Sequence, residues 1–292
     1  MIIAKLMGGL GNQMFQYAAA VGIAEKLGTA VAIDKSWFDT AVDVDTPRRY
    51  ELDGFALQQA FVNPERLTLV SDRNKTAKTK LYDLTKGRIK PRVLVYKESG
   101  HGFDSRVLKL QNNTLLDGFW QTEKYFAHAR NKLLEDFEFT NPPSSKNQQL
   151  LRDISGSNAI SLHVRRGDYA NNANTNAFHG LTGLDYYKAA VAKIAKQVKD
   201  PTFFVFSDDP EWCKQNLKID FPSTYVSHNK DGIEDMRLMT HCQHHIIANS
   251  SFSWWGAWLN PNPDKIVIAP KKWFNDTSMD TKDILPEEWI KL

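Results

Sequence analysis

The chain has 292 residues, of which 42% are hydrophobic, and a formal net charge of +3. This length allows two domains that each bury a core, and so small a net charge does not favour nucleic acid as a partner. Only two cysteines occur, no apolar run approaches the roughly 18 residues of a membrane span, and a strand pattern begins directly after Met1, so we expect a cytoplasmic protein without a disulfide framework.

The N-terminal segment predicts a strand, a glycine-rich turn, a helix and a second strand. These elements cover residues 2–6, 8–13, 14–27 and 30–33. The backbone N–H groups of glycines and the positive end of a helix can together hold an anion at such a turn. The residues of the turn that we expect to contact a bound anion are Gly11, Asn12 and Gln13.

A dinucleotide-binding site is an alternative for the same turn. Gly9 and Gly11 match two of the three glycines of that fingerprint, and Asp34 stands where an acid would bind a ribose. Met14 occupies the third glycine position, which weakens the match. A nicotinamide- or flavin-dependent oxidoreductase therefore stays open as an alternative at this point.

A segment containing proline and serine, residues 141–145, predicts a linker between two domains. We expect two Rossmann-like domains, residues 1–143 and 144–292, with a helical stretch directly after the linker. Basic residues lie close together in the first domain and form either a contact for anionic lipids and acidic glycans or a solvated face. They are Arg73, Lys75, Lys78, Lys80, Lys86, Arg88, Lys90 and Arg92.

The second domain alternates regularly between predicted strands and helices. The strands cover 159–164, 202–206, 223–227, 244–249 and 265–269, and the helices cover 185–199, 210–217, 233–242 and 252–259. Such alternation is typical of a doubly wound parallel sheet, whose ligand crevice lies beyond the carboxyl ends of the strands. The polar loops that follow these strands are therefore expected to meet at one crevice.

Two arginines, Arg165 and Arg166, follow the buried strand 159–164. A guanidinium group donates two parallel hydrogen bonds to phosphate and stays charged at every accessible pH, so a diphosphate is the first ligand to expect here. The plainer interpretation is a surface ion pair with Asp168 that closes a turn.

Two further loops favour the anion site. In the first, Pro210 near a helix start indicates that one of the two preceding aspartates, Asp208 and Asp209, caps that helix and leaves the other for a different role. In the second, the hydroxyl and backbone N–H groups of Ser250 and Ser251 open a helix and suit a phosphate. The tryptophans of that helix are expected to pack in the core rather than to stack on a sugar, and they are Trp254, Trp255 and Trp258.

Two patterns raise the question of a metal site. Asp43 and Asp45 have the Asp-x-Asp form by which some enzymes hold manganese, but they lie in a polar loop. The histidines and the cysteine between His241 and His245 are adjacent across a helix-to-strand junction, where side chains point in different directions. We expect no metal, so arginine has to supply the positive charge.

Four motifs in this order resemble the α1,2-fucosyltransferase family. They run from Gly9 to Gln16, from His163 to Tyr169, from Ser207 to Cys213 and from Asn249 to Trp258, whereas residues 63–102 carry no family signature. The resemblance implies an α/β fold of two Rossmann-like domains whose parallel sheets face each other across a cleft. It also implies an inverting enzyme that needs neither metal nor other cofactor and moves fucose from GDP-β-L-fucose to a 2-hydroxyl of an acceptor, usually galactose.

The resemblance further implies a donor site. Negative charge gathers on the β-phosphate as the sugar leaves, and we expect Arg165, helped by Asn12 and the Ser250-Ser251 loop, to stabilise it. Asp235 would accept from the N–H groups of guanine, unless it is only a carboxylate favourable to a helix N-terminus. His163 would lie near the ribose and the base. The remaining predicted donor contacts are Gly11, Gln13, Asp208, Phe252 and Ser253.

More than one residue is a candidate for the general base. Asp168 lies within the arginine motif and suits the task, His179 is a further candidate, and Ala173 stands where some wider relatives carry a glutamate. The expected partners are GDP-fucose and a galactose-terminated oligosaccharide or glycolipid. Peripheral membrane contact follows only if the basic segment binds anionic lipids and is not a solvated face. A sugar-nucleotide or glycan-binding module without catalysis stays open as a second alternative.

Overall fold

The structure, a computed structural model, describes residues 1–40, 47–58, 60–71, 92–167, 180–276 and 278–292. The chain divides into two compact units, Met1–Glu138 and Phe139–Leu292. Each unit contains one sheet of six strands, and every strand pair that the structure describes is parallel. The predicted fold class, an α/β protein with two parallel-sheet domains, is confirmed.

The first unit has the strand order β3-β2-β1-β6-β5-β4. The chain runs outward from β1 in one direction and returns to β1 through β6, so the switch point of this sheet lies between β1 and β6. Its strands are β1 (Ile2–Lys5), β2 (Val31–Asp34), β3 (Ala60–Phe61), β4 (Thr68–Ser71), β5 (Arg92–Lys97) and β6 (Thr114–Asp117). Its α-helices are α1 (Leu10–Leu27), α2 (Trp37–Thr40) and α3 (Arg130–Asp136).

Helix α1 is buried along most of its length and begins earlier than predicted. Gly9 is its N-cap, and the carbonyl of Gly9 accepts from the backbone N–H groups of Asn12 and Gln13. The prediction that the helix begins at Met14 was wrong. Asn12 has low helix propensity but fits the first turn, where its backbone N–H bonds back to Gly9. Gly28 ends the helix in the left-handed conformation, with φ 57°.

The second unit has the strand order β12-β11-β10-β7-β8-β9. Its strands are β7 (Asn158–Val164), β8 (Pro201–Ser207), β9 (Ser223–Val226), β10 (His244–Ile246), β11 (Val267–Ala269) and β12 (Ile290–Lys291). Its α-helices are α4 (Ser145–Ser155), α5 (Leu184–Ile194), α6 (Pro210–Asn216), α7 (Gly232–His241) and α8 (Ser251–Trp258). The switch point of this sheet lies between β7 and β10, which are hydrogen-bonded neighbours.

The division between the units precedes the predicted linker. The guanidinium of Arg237 lies 4.6 Å from the ring centroid of Phe139 and donates to the carbonyl of Asn141. Ser144 then caps α4, because its hydroxyl accepts from the backbone N–H of Asn147. The start of the predicted linker therefore packs against α7 of the second unit.

Candidate active site

Polar side chains of the second unit lie at the carboxyl ends of three strands. Arg165 follows β7, Asp208 follows β8, and Ser250 follows β10. Because β7 lies between β8 and β10, the three loops meet at the switch point of this sheet, where open α/β sheets bind ligands.

Arg165 is oriented by Asp208. Its Nη1 atom lies 2.9 Å from Oδ2 of Asp208, and both side chains are about three-quarters buried, with 22% and 24% of their surface exposed. Oδ1 of Asp208 accepts from the backbone N–H of Arg166 at 2.8 Å. A Cβ atom on Gly167 would lie 2.8 Å from Oδ2 of Asp208, so glycine leaves room for this carboxylate. The aspartate thus orients the guanidinium and the loop that carries it.

Arg166 has different neighbours. Its guanidinium lies 3.9 Å from the ring centroid of Trp212 and forms an ion pair of 3.5 Å with Asp209. Asp209 also caps α6, because its Oδ1 accepts from the backbone N–H of Trp212. The prediction that one of the two aspartates caps this helix is confirmed. Arg166 therefore packs against α6, and Arg165 is the better placed cation for a ligand at the strand ends.

His163 and the first residue of α7 both lie close to the ring of Phe252, and His163 comes two residues before Arg165 in the chain. His163 is 4% exposed, its ring centroid lies 5.3 Å from that of Phe252, and a Cβ atom on Gly232 would lie 3.3 Å from the same phenyl ring. Burial lowers the pKa of His163 to about 4, so the imidazole is neutral at physiological pH. Its Nδ1 atom is buried without a hydrogen-bond partner among the described residues. A neutral imidazole and a phenyl ring suit a planar, uncharged group such as a nucleobase.

Asp235 lies three residues after Gly232, and this spacing puts both residues on one face of α7. Its Oδ1 atom accepts from Nδ2 of Asn229 at 2.7 Å. Burial raises the pKa of Asp235 to about 6, Glu234 adds to the rise, and the hydrogen bond from Asn229 opposes it. The carboxylate is therefore ionised at neutral pH and can accept from a ligand.

The start of α8 completes the group of loops. Ser250 is the N-cap, and its hydroxyl caps none of the N–H groups of this helix that the structure describes. The hydroxyl of Ser253 is buried and lies within hydrogen-bond distance of the carbonyls of Ala248 and Ser250. Ser250 and Ser251 are thus better placed for a ligand than Ser253, whose contact with the donor stays a prediction. The core role predicted for the tryptophans is confirmed, since the buried side chains include Trp254, Trp255 and Trp258.

The glycine-rich turn of the first unit is held by the side chain of Gln13. Its Nε2 donates to the carbonyls of Gly8 and Arg49, at 2.9 and 2.8 Å, and its Oε1 accepts from the backbone N–H of Glu51 at 2.9 Å. The side chain is fully buried. Gln13 therefore positions the turn and residues 49–51, and direct contact with the donor stays a prediction.

Asn12 lies at the switch point of the first sheet. Its Oδ1 accepts from Nε2 of Gln121 at 2.8 Å, which connects the first turn of α1 to the loop after β6. A Cβ atom on Gly8, where φ is +75°, would lie 2.9 Å from Nδ2 of Asn12. The side chain is only partly buried, so Asn12 can also meet a ligand at this edge of the sheet.

Sequence reasoning missed Glu98 and Gln121 in this unit. The carboxylate of Glu98 accepts from the backbone N–H groups of Phe119 and Trp120 at 2.6 and 3.0 Å, and it holds Trp120 in the left-handed region with φ 57°. This turn directs Gln121 towards Asn12. Polar residues after the apolar run of β6 were an available signal, since the same pattern identified the loops of the second unit.

Several predicted residues lie outside the described ranges. Asp168, His179 and Ala173 are among them, and so is the Asp-x-Asp pattern of Asp43 and Asp45. Of the basic segment, only Arg92 is described. In the described ranges no group of three or more histidine, cysteine or acidic side chains is arranged to hold a metal ion.

The histidines between His241 and His245 have separate partners. His241 lies 2.8 Å from the carbonyl of Arg237, and His245 lies 2.7 Å from Oγ of Ser161. His244 accepts from the backbone N–H of Ile266. Each ring therefore has a hydrogen-bond partner in a different part of the second unit.

Over the same described ranges, no helix is both long and apolar enough to cross a membrane.

Comparison with known proteins identifies the family. The sequence model of Glycosyl transferase family 11 matches residues 96–292. The chain belongs to glycosyl transferase family 11. The resemblance to α1,2-fucosyltransferases that the motifs predicted is confirmed. The oxidoreductase alternative is set aside. Asp34, on which that alternative depended, is buried and accepts from the backbone N–H of Ser36.

Three curated relatives match this chain over 90% to 100% of its length. An Alpha-1,2-colitosyltransferase of Escherichia coli is 32% identical over 100% of this chain and 98% of that protein. The O-antigen biosynthesis glycosyltransferase WbnK of Escherichia coli is 33% identical over 98% of this chain and 99% of its own length. Galactoside alpha-(1,2)-fucosyltransferase 1 of Leontopithecus chrysomelas is 27% identical over 90% of this chain and 66% of its length.

Solved structures share the fold at low sequence identity. POFUT1 in complex with GDP-fucose matches with a TM-score of 0.52 and 12% identity, over 92% of this chain and 97% of that one. NodZ alpha-1,6-fucosyltransferase soaked with GDP-fucose matches with a TM-score of 0.50 and 14% identity, over 89% and 92%. The family 11 chain therefore has the two-unit fold of these fucosyltransferases.

Proposed function

We propose that the protein transfers L-fucose from GDP-β-L-fucose to the 2-hydroxyl of a galactoside, with inversion and formation of an α1,2 linkage. The observation that carries this proposal is the ion pair of Arg165 and Asp208 at the switch point of the second sheet, next to the start of α8. A fixed guanidinium and a helix N-terminus together suit a diphosphate. Family membership and α1,2-specific relatives support the linkage.

The proposed catalytic step depends on charge at the leaving group. When the bond between C1 of fucose and the β-phosphate oxygen breaks, GDP takes the electron pair and the sugar becomes oxocarbenium-like. Arg165 stabilises that negative charge more in the transition state than in the ground state, because Asp208 holds it in place before the reaction. Asn12 and the hydroxyls of Ser250 and Ser251 add hydrogen bonds in this proposal.

Base recognition is assigned to Asp235, Phe252 and His163. Asp235 accepts from N1–H and the 2-amino group of guanine, and Phe252 and the neutral ring of His163 contact the base or the ribose. The raised pKa of Asp235 supports this assignment, and so does the buried Nδ1 of His163, which has no hydrogen-bond partner within the described part of the chain. Asp208 acts through Arg165 rather than by direct contact.

The acceptor is assigned to the first domain. We assign the first domain, residues 1–143, to a galactose-terminated oligosaccharide or glycolipid, with peripheral membrane contact through the basic segment. Asp168 is the proposed general base that removes the proton from the acceptor hydroxyl, and His179 is the alternative. No metal or other cofactor is required in this scheme, because Arg165 and the start of α8 supply the positive charge.

A colitosyl donor is the second candidate. The Alpha-1,2-colitosyltransferase of Escherichia coli is 32% identical over the whole of this chain. Colitose is fucose without its 3-hydroxyl group, so the same diphosphate and base contacts would serve both donors. The choice between them depends on residues near C3 of the sugar.

The deciding experiment measures GDP release from GDP-fucose and from GDP-colitose in excess EDTA, with and without lactose, followed by mass analysis of the product. Release that depends on lactose, with the mass gain of one fucose, supports the proposal, and a mass gain of one colitose supports the second candidate. Tight GDP-fucose binding without turnover for any galactoside acceptor would indicate a binding module. Arg152→Ala, an exposed arginine of α4, serves as the control for Arg165→Ala.

A further inference from the structure

A network of side-chain amides, one of them fully buried, lies behind the proposed guanine contact. Its central residue is Asn147 in the first turn of α4, and this side chain is fully buried. Nδ2 of Asn147 donates to Oδ1 of Asn229 at 3.0 Å and to Oε2 of Glu234 at 2.7 Å, and Oδ1 of Asn147 lies 2.7 Å from Nε2 of His228. A residue used only for packing at this position would be apolar, since a buried amide is costly unless its groups are hydrogen-bonded.

Asn229 extends the network to Asp235. It accepts from Asn147 through Oδ1 and donates to Oδ1 of Asp235 through Nδ2, at 2.7 Å. An amide that accepts at one end and donates at the other has a fixed orientation. The plane of the Asp235 carboxylate is therefore set by Asn229, and the orientation of Asn229 is set by Asn147.

The other branch of the network fixes the start of α7. Oε1 of Glu234 forms an ion pair of 3.0 Å with Arg237, whose guanidinium stacks on Phe139. Glu234 and Asp235 are adjacent but have different partners, because consecutive helix residues point to different sides. Glu234 connects α7 to α4 by accepting a hydrogen bond from Asn147. Asp235 lies on the same face of α7 as Gly232, which packs close to the ring of Phe252 in α8.

We propose that Asn147 and Asn229 are positioning residues that determine the base specificity of the donor site. They hold the Asp235 carboxylate so that its remaining lone pairs meet two N–H donors of a purine, which guanine presents and adenine does not. A carboxylate has about four acceptor positions, so one hydrogen bond from Asn229 leaves room for both. This inference rests on the proposed function, in which Asp235 contacts guanine.

The test compares Asn229→Ala and Asn147→Ala with Gln149→Ala, an exposed amide on the same helix as Asn147. Calorimetry measures the Kd of GDP and of ADP, and initial rates give KM and kcat for GDP-fucose. We expect the Kd and KM of the guanine ligands to rise about 10-fold, the ADP Kd to stay constant and kcat to change less than two-fold, the size expected for a hydrogen bond to a charged group. Gln149→Ala should match the wild type.

The pH profile supplies a readout that loss of packing alone would not move. The charged groups around Asp235 are Glu234 and Arg237 on its helix, Asp231 before it and Lys146 on α4. Burial and the charge of Lys146 lower the pKa of His228. The hydrogen bond from Asn229 lowers the pKa of Asp235. Asn229→Ala should therefore shift the acidic limb of kcat/KM to higher pH.

Asp235→Asn separates failure of the inference from failure of the proposed function. If Asp235→Asn leaves GDP binding unchanged, the guanine assignment fails. If Asp235→Asn weakens GDP binding but a folded Asn229→Ala does not, only the positioning role is overturned. Thermal unfolding checks each variant, and Asn229→Ser replaces Asn147→Ala in the comparison if the latter does not fold. Equal losses for GDP and ADP would also overturn the proposal.

Discussion

Arg165 and Asp208 form an ion pair at the carboxyl ends of two neighbouring strands, with Nη1 and Oδ2 2.9 Å apart. Because both side chains are partly exposed, such a pair contributes only about 0 to 1 kcal/mol to stability. Its importance therefore lies in the orientation of the guanidinium. The predictions for these two residues concern turnover rather than folding.

Arg165→Ala should fold normally and lose most of its turnover. Removal of one preorganised donor to a developing negative charge commonly lowers kcat by about 10²- to 10³-fold. Initial rates with saturating GDP-fucose and lactose measure the loss, and circular dichroism with thermal unfolding checks the fold. Arg152→Ala is the matched surface control. A folded Arg165→Ala protein that keeps more than about a tenth of wild-type kcat would exclude Arg165 from this role.

Asp208→Asn should lower turnover, because Asp208 orients Arg165, whereas Asp209→Ala should lower stability, because Asp209 caps α6. Asp208→Asn keeps an oxygen for the N–H of Arg166 but loses the ion pair with Arg165, so we expect kcat to fall about 10- to 100-fold with little change in stability. Asp209→Ala removes the cap of α6 and should cost about 1 kcal/mol in the free energy of unfolding while turnover is largely kept. Chemical denaturation and initial rates measure both. The reverse pattern would show that Asp209, not Asp208, orients the loop.

In the first unit, we expect substitution of Gln13 to affect mainly stability and substitution of Asn12 to affect mainly turnover. Gln13→Ala removes the buried amide that makes three partly buried hydrogen bonds, to two carbonyls and one N–H, and we expect a loss of about 2 to 3 kcal/mol in unfolding free energy. Asn12→Ala loses one bond to Gln121 and should lower kcat with a smaller effect on stability. Urea unfolding followed by fluorescence provides the comparison. Equal stability losses for the two variants would contradict the separate roles.

The second unit could be predicted closely from the sequence. Strands of a parallel sheet are buried on both faces and read as continuous apolar runs, so β7 and β8 were placed within one residue at each end. The loops after them carried the charged residues of the candidate site. A cap from one of the two aspartates before this helix was equally predictable, because Pro210 stands at its first position. The structure shows that the cap is Asp209.

Contacts between distant residues could not be predicted in this way. Asn147 and Asn229 are 82 positions apart, and Asn12 and Gln121 are 109 apart. A single sequence shows no periodicity that pairs such residues. Strand β3 has two residues, both exposed, which leaves too short a pattern to recognise. Glu98 accepts from the backbone N–H groups of residues 119 and 120, which every residue type except proline supplies, so the sequence there does not reveal the contact.

Asp235 should make donor binding and stability respond to pH in opposite directions. Its pKa is raised from 3.8 to about 6 by burial, so the folded protein holds a proton that the unfolded chain has released between these values. Stability from this group is therefore greatest below pH 3.8 and is lost as pH rises through 6. Guanine binding needs the ionised carboxylate and should weaken as pH falls through 6. Calorimetry of GDP binding and urea unfolding between pH 5 and 8 measure both trends. Asp235→Asn should remove both, and a wild-type GDP Kd that stays constant across this range would rule out Asp235 as the ionised contact.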